Sequence, residues 1–179
     1  MAARFALLPT ARRFARGRDG VAAIEFGMVG PLFLALVLGT FDVGGLMLQS
    51  MLLDRSVDKA VRTVRVQGGV SAVVQDQFKD AVCGGMLLFS TGCAARLTVE
   101  MTVIKAASSF PSTGVTCVSR TAPKPTVTYN SGARSEMVLA RACLNVDPLM
   151  PFLGTGLGLP RNASGGFDVV ATSGFMNEP

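Results

Sequence analysis

A long apolar segment near the N-terminus dominates the hydrophobic pattern of this chain. It runs from Val21 to Met51 and contains only two charged residues, Glu25 and Asp42. At a rise of about 1.5 Å per residue, a helix of this length crosses a hydrocarbon core about 30 Å thick. The pattern therefore predicts one transmembrane helix, with a kink expected at Pro31 because proline removes a backbone donor.

The two acids in this segment have different expected places. Asp42 falls about 32 Å along the helix from residue 21, so its carboxylate is expected near the far interface, where it reaches water or headgroups. Glu25 lies near the start, where a charge inside the bilayer costs about 2.5–3.5 kcal/mol. Such an acid either extends to the near interface or has a functional role, and its spacing alone does not separate the two.

Beyond Met51 the pattern becomes amphipathic at helical spacing. Apolar residues recur three and four positions apart, and charged residues fill the opposite side, including Asp58 and Arg62 as an expected i, i+4 ion pair. The helix is therefore predicted to continue to Val66, about 69 Å from its start, and to end at Gly68-Gly69. The apolar stripe is expected to pack on the chain's own soluble domain, the alternative being a contact with another subunit; it consists of Leu53, Val57, Ala60, Val61 and Val64.

The rest of the chain predicts a small α+β domain. A second amphipathic helix is expected from Ser71 to Val82, with Val73, Val74, Phe78, Ala81 and Val82 on its apolar side. Strict alternation from Leu97 to Val103 then predicts a strand with one buried face. Further strands are expected at 115–120, 126–129, 137–146 and 167–172, with a Gly- and Pro-rich loop at 148–166. Together these elements predict an antiparallel sheet packed against helices.

The positive charge of the chain is concentrated at its N-terminus. The net charge is +5, and most of it comes from the arginines that precede residue 21, namely Arg4, Arg12, Arg13, Arg16 and Arg18. The nearly neutral remainder has no Trp and one Tyr, so it offers neither a basic surface nor stacking platforms for nucleic acid. A basic head instead favours a cytoplasmic N-terminus, which places the following domain outside the cytoplasm.

A cleaved secretory signal is the main alternative for this N-terminus. Such signals have an apolar core of about 7–15 residues that ends in a small-residue cleavage site. The segment from Val21 to Met51 is about twice as long and has no clear site of that kind downstream. A retained membrane helix therefore fits better.

Four cysteines lie in the predicted extracytoplasmic part, where disulfides form. Three connectivities exist for two bridges. We favour Cys83 with Cys93, which closes a Gly-rich loop, and Cys117 with Cys143, which joins two predicted strands, because each pair bridges nearby elements. A metal site is disfavoured, since the chain has no His and no Cys-x-x-Cys spacing.

No catalytic motif is present in the sequence. The absence of His excludes the usual Ser-His and Cys-His nucleophile pairs. The glycine-rich run at 154–158 lacks the preceding strand and the Lys of a phosphate-binding loop. The pattern therefore predicts neither an enzyme nor a cofactor.

The residues around the start of the apolar segment resemble a prepilin processing site. A basic leader ends in Gly20, and Val21 would be the first mature residue, with Glu25 fifth and Phe26 sixth. The longer string Arg18-Asp-Gly-Val-Ala-Ala-Ile-Glu-Phe-Gly-Met-Val-Gly-Pro31 more specifically resembles the TadE-like minor pilins or pseudopilins of tight-adherence (Flp-type) pilus systems. The C-terminal end, Phe175-Met-Asn-Glu-Pro179, also resembles the ends of such chains.

This resemblance implies a function and an organisation. A prepilin peptidase would cleave between Gly20 and Val21, and Glu25 and Phe26 would serve recognition and assembly with other pilin subunits. The implied organisation is a cytoplasmic leader at 1–20, a transmembrane helix at 21–51 in the bacterial inner membrane, a helix extension at 52–66 and an extracytoplasmic domain at 70–179. Without the resemblance, the alternative is a single-pass envelope protein whose outer domain binds another ligand.

Overall fold

The predicted α+β class, with a long N-terminal helix, a second helix, an antiparallel sheet and two disulfides, is confirmed by a computed structural model. The structure describes residues 20–66, 75–119, 124–148, 161–162 and 165–178. Its helices are α1 (Val21–Val66), α2 (Gln75–Gly85) and the short α3 (Cys93–Arg96), and its strands are β1 (Leu97–Ile104), β2 (Met137–Val146) and β3 (Phe167–Met176). The predicted Gly68-Gly69 helix end and most of the predicted 148–166 loop lie outside the described residues.

Helix α1 is continuous and has two different halves. It runs without a break through Pro31 and Gly44 to Val66, as the helical pattern predicted. In the first half nearly all large apolar side chains are exposed, whereas the predicted stripe from Leu53 to Val64 is buried in the core. The extension of α1 is therefore the central helix of the folded domain, and its apolar stripe packs on that domain as expected.

Helix α2 packs beside α1 through Phe78 and Val82, which are both at most 1% exposed. It extends to Gly85, three residues beyond the predicted end, and its predicted first residues lie outside the described ranges. Ala81 is exposed rather than buried, because at 100° per residue it lies about 120° from the centre of the buried side.

The sheet has three antiparallel strands in the order β1-β2-β3. The register is unbroken, from Leu97 opposite Leu144 in one pair and from Met137 opposite Met176 in the other. Helix α1 packs mainly over β3 and against α2. Strand β2 is buried along almost its whole length because it is central and covered on both faces.

Two predicted strands are wrong. Residues 115–119 of the first have no regular structure, and of the second only Tyr129 forms a bridge, parallel to Met101 of β1. Cys117 is covalently joined to Cys143 of β2, so the first segment lies against the sheet. The second segment meets β1 only around Met101.

Both favoured disulfides, Cys83–Cys93 and Cys117–Cys143, are present. The first connects α2 to the start of α3, and the second fastens the 115–119 segment to β2. An ion pair supports the same surface of the sheet, since Arg141 of β2 contacts its register partner Glu100 of β1 at 2.8 Å. Arg141 also donates to the carbonyl of Thr113, so this covering segment is attached by a covalent bond and by a hydrogen bond.

The predicted ion pair between Asp58 and Arg62 does not form within the described residues. Asp58 instead accepts a hydrogen bond from the Ser173 hydroxyl of β3 at 2.9 Å. A contact between α1 and the sheet therefore replaces the expected contact within the helix.

Candidate processing and assembly site

The four residues singled out by the sequence lie together at the N-terminal end of α1. Gly20 is a turn residue, Val21 begins the helix, and Glu25 and Phe26 follow in the next turn. All four are exposed. They are therefore accessible to another molecule along one end of a protruding helix.

The Gly20–Val21 peptide bond is part of the first helical turn. The N–H of Ile24 donates to the Gly20 carbonyl at 3.1 Å, which is the carbonyl of the predicted cleavage site. Gly20 has no positive φ, and a Cβ added there would meet nothing within 4 Å. Within the described residues, the fold itself therefore does not require glycine at position 20.

Glu25 lies four residues after Val21, on the same face of the helix. Its side chain is exposed and makes no ion pair within the described part of the chain. In the uncleaved chain the nitrogen of Val21 is an uncharged amide, so it is not a counter-charge for Glu25. Cleavage at Gly20 would convert this nitrogen to a cationic amine.

Phe26 projects from the helix and is 76% exposed. One side of its ring lies over Gly30, where ring atoms come within 3.5 Å of the position a Cβ would occupy. This contact explains why Gly30 is buried although its neighbours along the helix are exposed. The other side of the ring remains available for lipid or for a neighbouring chain.

An almost continuous apolar surface follows the site along α1. Its large side chains are all more than half exposed: Ile24, Met28, Val29, Leu32, Phe33, Leu34, Leu36 and Phe41. By length and composition, α1 is the one helix among the described residues that is able to cross a membrane. A contiguous exposed apolar surface of this kind indicates a covering of lipid or protein.

Asp42 differs from the expectation that its carboxylate reaches water or headgroups, because the residue is 0% exposed within the chain. It lies on the face of α1 that continues through Gln49, which is 4% exposed, to Leu53 and Val57 in the core. Spacings of seven, four and four residues place these positions on one side of a helix. The buried face thus starts before the apolar stripe, which sequence analysis missed because Asp42 and Gln49 are polar.

One cluster of potential metal ligands exists in the described part of the chain. The sulfurs of Cys117 and Cys143 lie close to a carboxylate oxygen of Asp168. Both sulfurs form a disulfide, and the thiolates that bind metals are therefore not available. This cluster is part of the covalent framework of the domain.

Residues 20–62 match the family model described as TadE-like protein. The resemblance predicted from the sequence is confirmed over this segment, which contains the whole candidate site and α1 as far as Arg62. This pilus-associated family is structural and is not known for enzymatic activity. No curated protein and no solved structure matches the chain significantly.

Proposed function

We propose that this chain is a minor pilin or pseudopilin of a tight-adherence pilus, cleaved between Gly20 and Val21 by a prepilin peptidase. The observation that carries the proposal is the placement of Gly20, Val21 and Glu25 at the exposed end of an apolar helix that continues into a folded domain. The family match covers this same segment. The role is structural, and the chain's partners are the peptidase, membrane lipid, other pilin subunits and the assembly machinery.

The proposed topology follows from charge and from the disulfides. The arginine-rich leader at 1–20 stays in the cytoplasm under the positive-inside rule, the helix at 21–51 spans the inner membrane, and the extension at 52–66 joins the domain at 70–179. Cys83–Cys93 and Cys117–Cys143 support an oxidising compartment for that domain.

We assign the requirement for glycine at position 20 to recognition by the peptidase rather than to the fold of this chain. Among the described residues, nothing lies within 4 Å of the position that a Cβ would take at Gly20, so we assign its small size to the enzyme that must approach the bond. The Gly20 carbonyl also accepts the first hydrogen bond of α1. Access to the bond therefore requires the first helical turn to open, which costs only the local hydrogen bonds at a helix end that frays readily.

The proposed role of Glu25 begins after cleavage. The new amine of Val21 is a cation, and a carboxylate from Glu25 neutralises it in a low-dielectric surrounding. Within one chain this pairing is allowed by the i, i+4 spacing, and between adjacent chains it selects the register of packed helices. The exposure of Glu25, without an ion pair in the described residues, supports availability for the second arrangement.

Cleavage is tested by N-terminal sequencing of the membrane-bound protein from cells that contain the peptidase and from cells that lack it. The expected mature chain begins Val21-Ala22 only when the peptidase is present. Replacing Gly20 by Leu should block cleavage and leave the fold unchanged. A retained Met1 in both strains would instead support a single-pass envelope protein, and a start far beyond residue 40 would support a secretory signal.

Assembly is tested with Glu25→Ala, and the matched control is Ile24→Ala at the neighbouring exposed position. Stranding one member of a buried ion pair costs about 3–5 kcal/mol, so Glu25→Ala should strongly reduce recovery of the subunit with pilus components. Membrane insertion and cleavage should persist. Normal co-purification of the Glu25→Ala subunit would contradict this role.

A further inference from the structure

The two edges of the sheet differ in how they are covered. At the β1 edge, the N–H of Met101 donates to the Thr128 carbonyl and the N–H of Asn130 donates to the Met101 carbonyl, both at 3.0 Å. At the outer edge of β3 itself, no described residue makes a comparable bond; just beyond the strand, the N–H of Glu178 donates to the Arg65 carbonyl of α1 at 3.5 Å. One edge of the sheet is thus partly paired, and the other is open among the described residues.

The hydrogen-bond pattern identifies the groups at the open edge. The N–H of Asn177 donates to the Glu136 carbonyl at 3.1 Å. These two residues lie next to the end pair of the ladder, Met176 of β3 and Met137 of β2. Because bonding alternates along antiparallel strands, odd-numbered residues of β3 bond to β2 and even-numbered residues direct their backbone groups outward. The outward set is Asp168, Val170, Thr172, Gly174 and Met176, all of which are exposed.

Strand β3 has few of the features that protect natural edge strands. It contains no Lys, Arg or Pro, its register with β2 is unbroken, and its one charged residue is Asp168 near the start. Edge strands that remain solitary commonly carry charges, prolines or bulges. A ten-residue edge without them is a template for another strand.

A groove of about 480 Å³ runs between this edge and the flank of α1. Its α1 wall includes Asp58, Arg62 and Arg65, and its β3 wall includes Gly174. Asp58 bonds Ser173, and Arg65 pairs with Glu178 at 3.6 Å. Arg62 is exposed and makes no ion pair with the described residues, so the groove has a cation available for an incoming carboxylate.

We propose that the outer edge of β3 and this groove dock an extended segment of a different protein, one that carries a carboxylate on the side facing Arg62. The segment adds to the sheet through the outward backbone groups of β3. Its side chains on the α1 side then face Arg62, so backbone bonds supply the attachment and the carboxylate opposite Arg62 supplies the selectivity.

A second copy of this chain does not fit as the occupant through its own β3. Antiparallel pairing of β3 with β3 of another copy requires a two-fold axis perpendicular to the sheet. Helix α1 lies on the sheet, so this axis would reverse its direction. Two copies inserted in one membrane with the same orientation, as the proposed function requires, cannot meet in that way.

Hydrogen exchange of the full chain in detergent micelles tests the open edge. Amides of Val170, Thr172, Gly174 and Met176 should exchange at least tenfold faster than those of Val169, Ala171 and Ser173, because only the second set bonds to β2. Equal protection of both sets at low protein concentration would overturn the proposal. Protection that grows with protein concentration would identify self-pairing and overturn the choice of occupant.

Docking is measured with a short synthetic peptide, blocked at both ends, in which glutamate alternates with threonine and valine. We expect saturable binding that protects the outward amides, and about tenfold weaker binding when lysine replaces glutamate in the peptide or when Arg62→Glu is introduced. Absence of saturable binding, or equal affinity for both peptides, would overturn the proposal.

Position 174 offers a matched pair of variants. Gly174→Pro removes an outward N–H, whereas Gly174→Ala keeps it, and a Cβ there meets nothing within 4 Å. The Pro variant should bind the peptide at least tenfold more weakly, and the Ala variant should bind like the wild type; equal binding by both would overturn strand addition. Protection of the odd-numbered amides checks that the Pro variant is folded, and Arg62→Glu provides the test if it is not. None of these experiments depends on cleavage at Gly20. A negative result would therefore overturn the docking proposal and leave the proposed function standing.

Discussion

Gly85 ends α2 at a point where this helix lies against Ser56 of α1. A Cβ at Gly85 would lie 2.9 Å from the Cβ of Ser56 and closer still to its hydroxyl. The Ser56 hydroxyl also donates to the Leu52 carbonyl at 2.6 Å, which limits how far it moves aside. Gly85→Ala should therefore destabilise the domain by about 1–3 kcal/mol, the usual cost of overpacking.

Gly84 is the matched control for this prediction. It lies in the same helix turn, is exposed, and has nothing within 4 Å of the position a Cβ would take. Gly84→Ala should be neutral or stabilising by up to about 1 kcal/mol, because alanine favours a helix over glycine. Urea unfolding of both variants measures the difference, and equal stabilities would contradict the close approach at Ser56.

Tyr129 gives a pH-dependent prediction from a single residue. Burial raises its pKa from 10.0 to about 12, since the charged phenolate is poorly solvated there. The folded state therefore retains the phenolic proton at a pH where the unfolded state has lost it. This contribution to stability is fully present below about pH 10 and is lost as the pH rises toward about 12.

The absorbance of the phenolate measures this titration directly, because Tyr129 is the only Tyr and the chain has no Trp. The native protein should titrate near 12 and the protein in denaturant near 10. Coincident titration curves would show that the ring is solvated in the folded state.

The segment at 115–119 shows how an element is positioned without regular secondary structure. It lies against the sheet through Cys117–Cys143, which closes a loop with a sequence separation of 26 residues. Replacing both cysteines by Ala should destabilise the domain by about 3 kcal/mol. Limited proteolysis should then cut near this segment before it cuts β2.

The bridge at Cys83–Cys93 provides the comparison, since it fastens α2 and α3 and not the 115–119 segment. Its removal should lower stability by a similar amount and leave the early cleavage pattern at 115–119 unchanged. Identical proteolysis of the two double variants would contradict the separate roles of the bridges.

The sequence predicted individual helices and strands correctly where the spacing of apolar residues within the element decides its structure. The spacing of α1 predicted its continuation to Val66, and the alternation from Leu97 to Val103 predicted β1. The strands expected at 115–120 and 126–129 failed because a short strand-like sequence also fits an extended segment that lies against a sheet without pairing along its length. Whether such a segment pairs depends on neighbours distant in the sequence.

At the scale of the whole molecule, one helix has two functions: the first half of α1 is the proposed membrane segment, and its extension forms part of the core of the domain. A chain that begins at Met51 keeps the five core residues of the α1 stripe and should fold as a soluble, disulfide-bonded domain. A chain that begins at Val66 lacks them. Four of the five are Leu or Val, and each such buried side chain contributes about 1.5–3 kcal/mol. Their combined loss is therefore comparable to the entire stability of about 5–15 kcal/mol expected for a domain.

Circular dichroism and hydrogen exchange of the two truncated chains test this division. We expect cooperative unfolding for the chain that begins at Met51 and none for the one that begins at Val66. A cooperatively folded shorter chain would show that the α1 stripe is dispensable.

The sequence by itself determined the elements whose cause is local: the apolar length of α1, its amphipathic extension, the strand periods, and the Gly20, Val21 and Glu25 pattern at the helix start. Tertiary structure alone decided the burial of Asp42, the contact of Asp58 with Ser173 and the open edge of β3. These features depend on which surfaces meet, and that is set by packing between residues far apart in the chain. The spacing of apolar residues along the sequence predicts which face of a single element is buried. A sheet edge or a groove exists only once several elements have packed together.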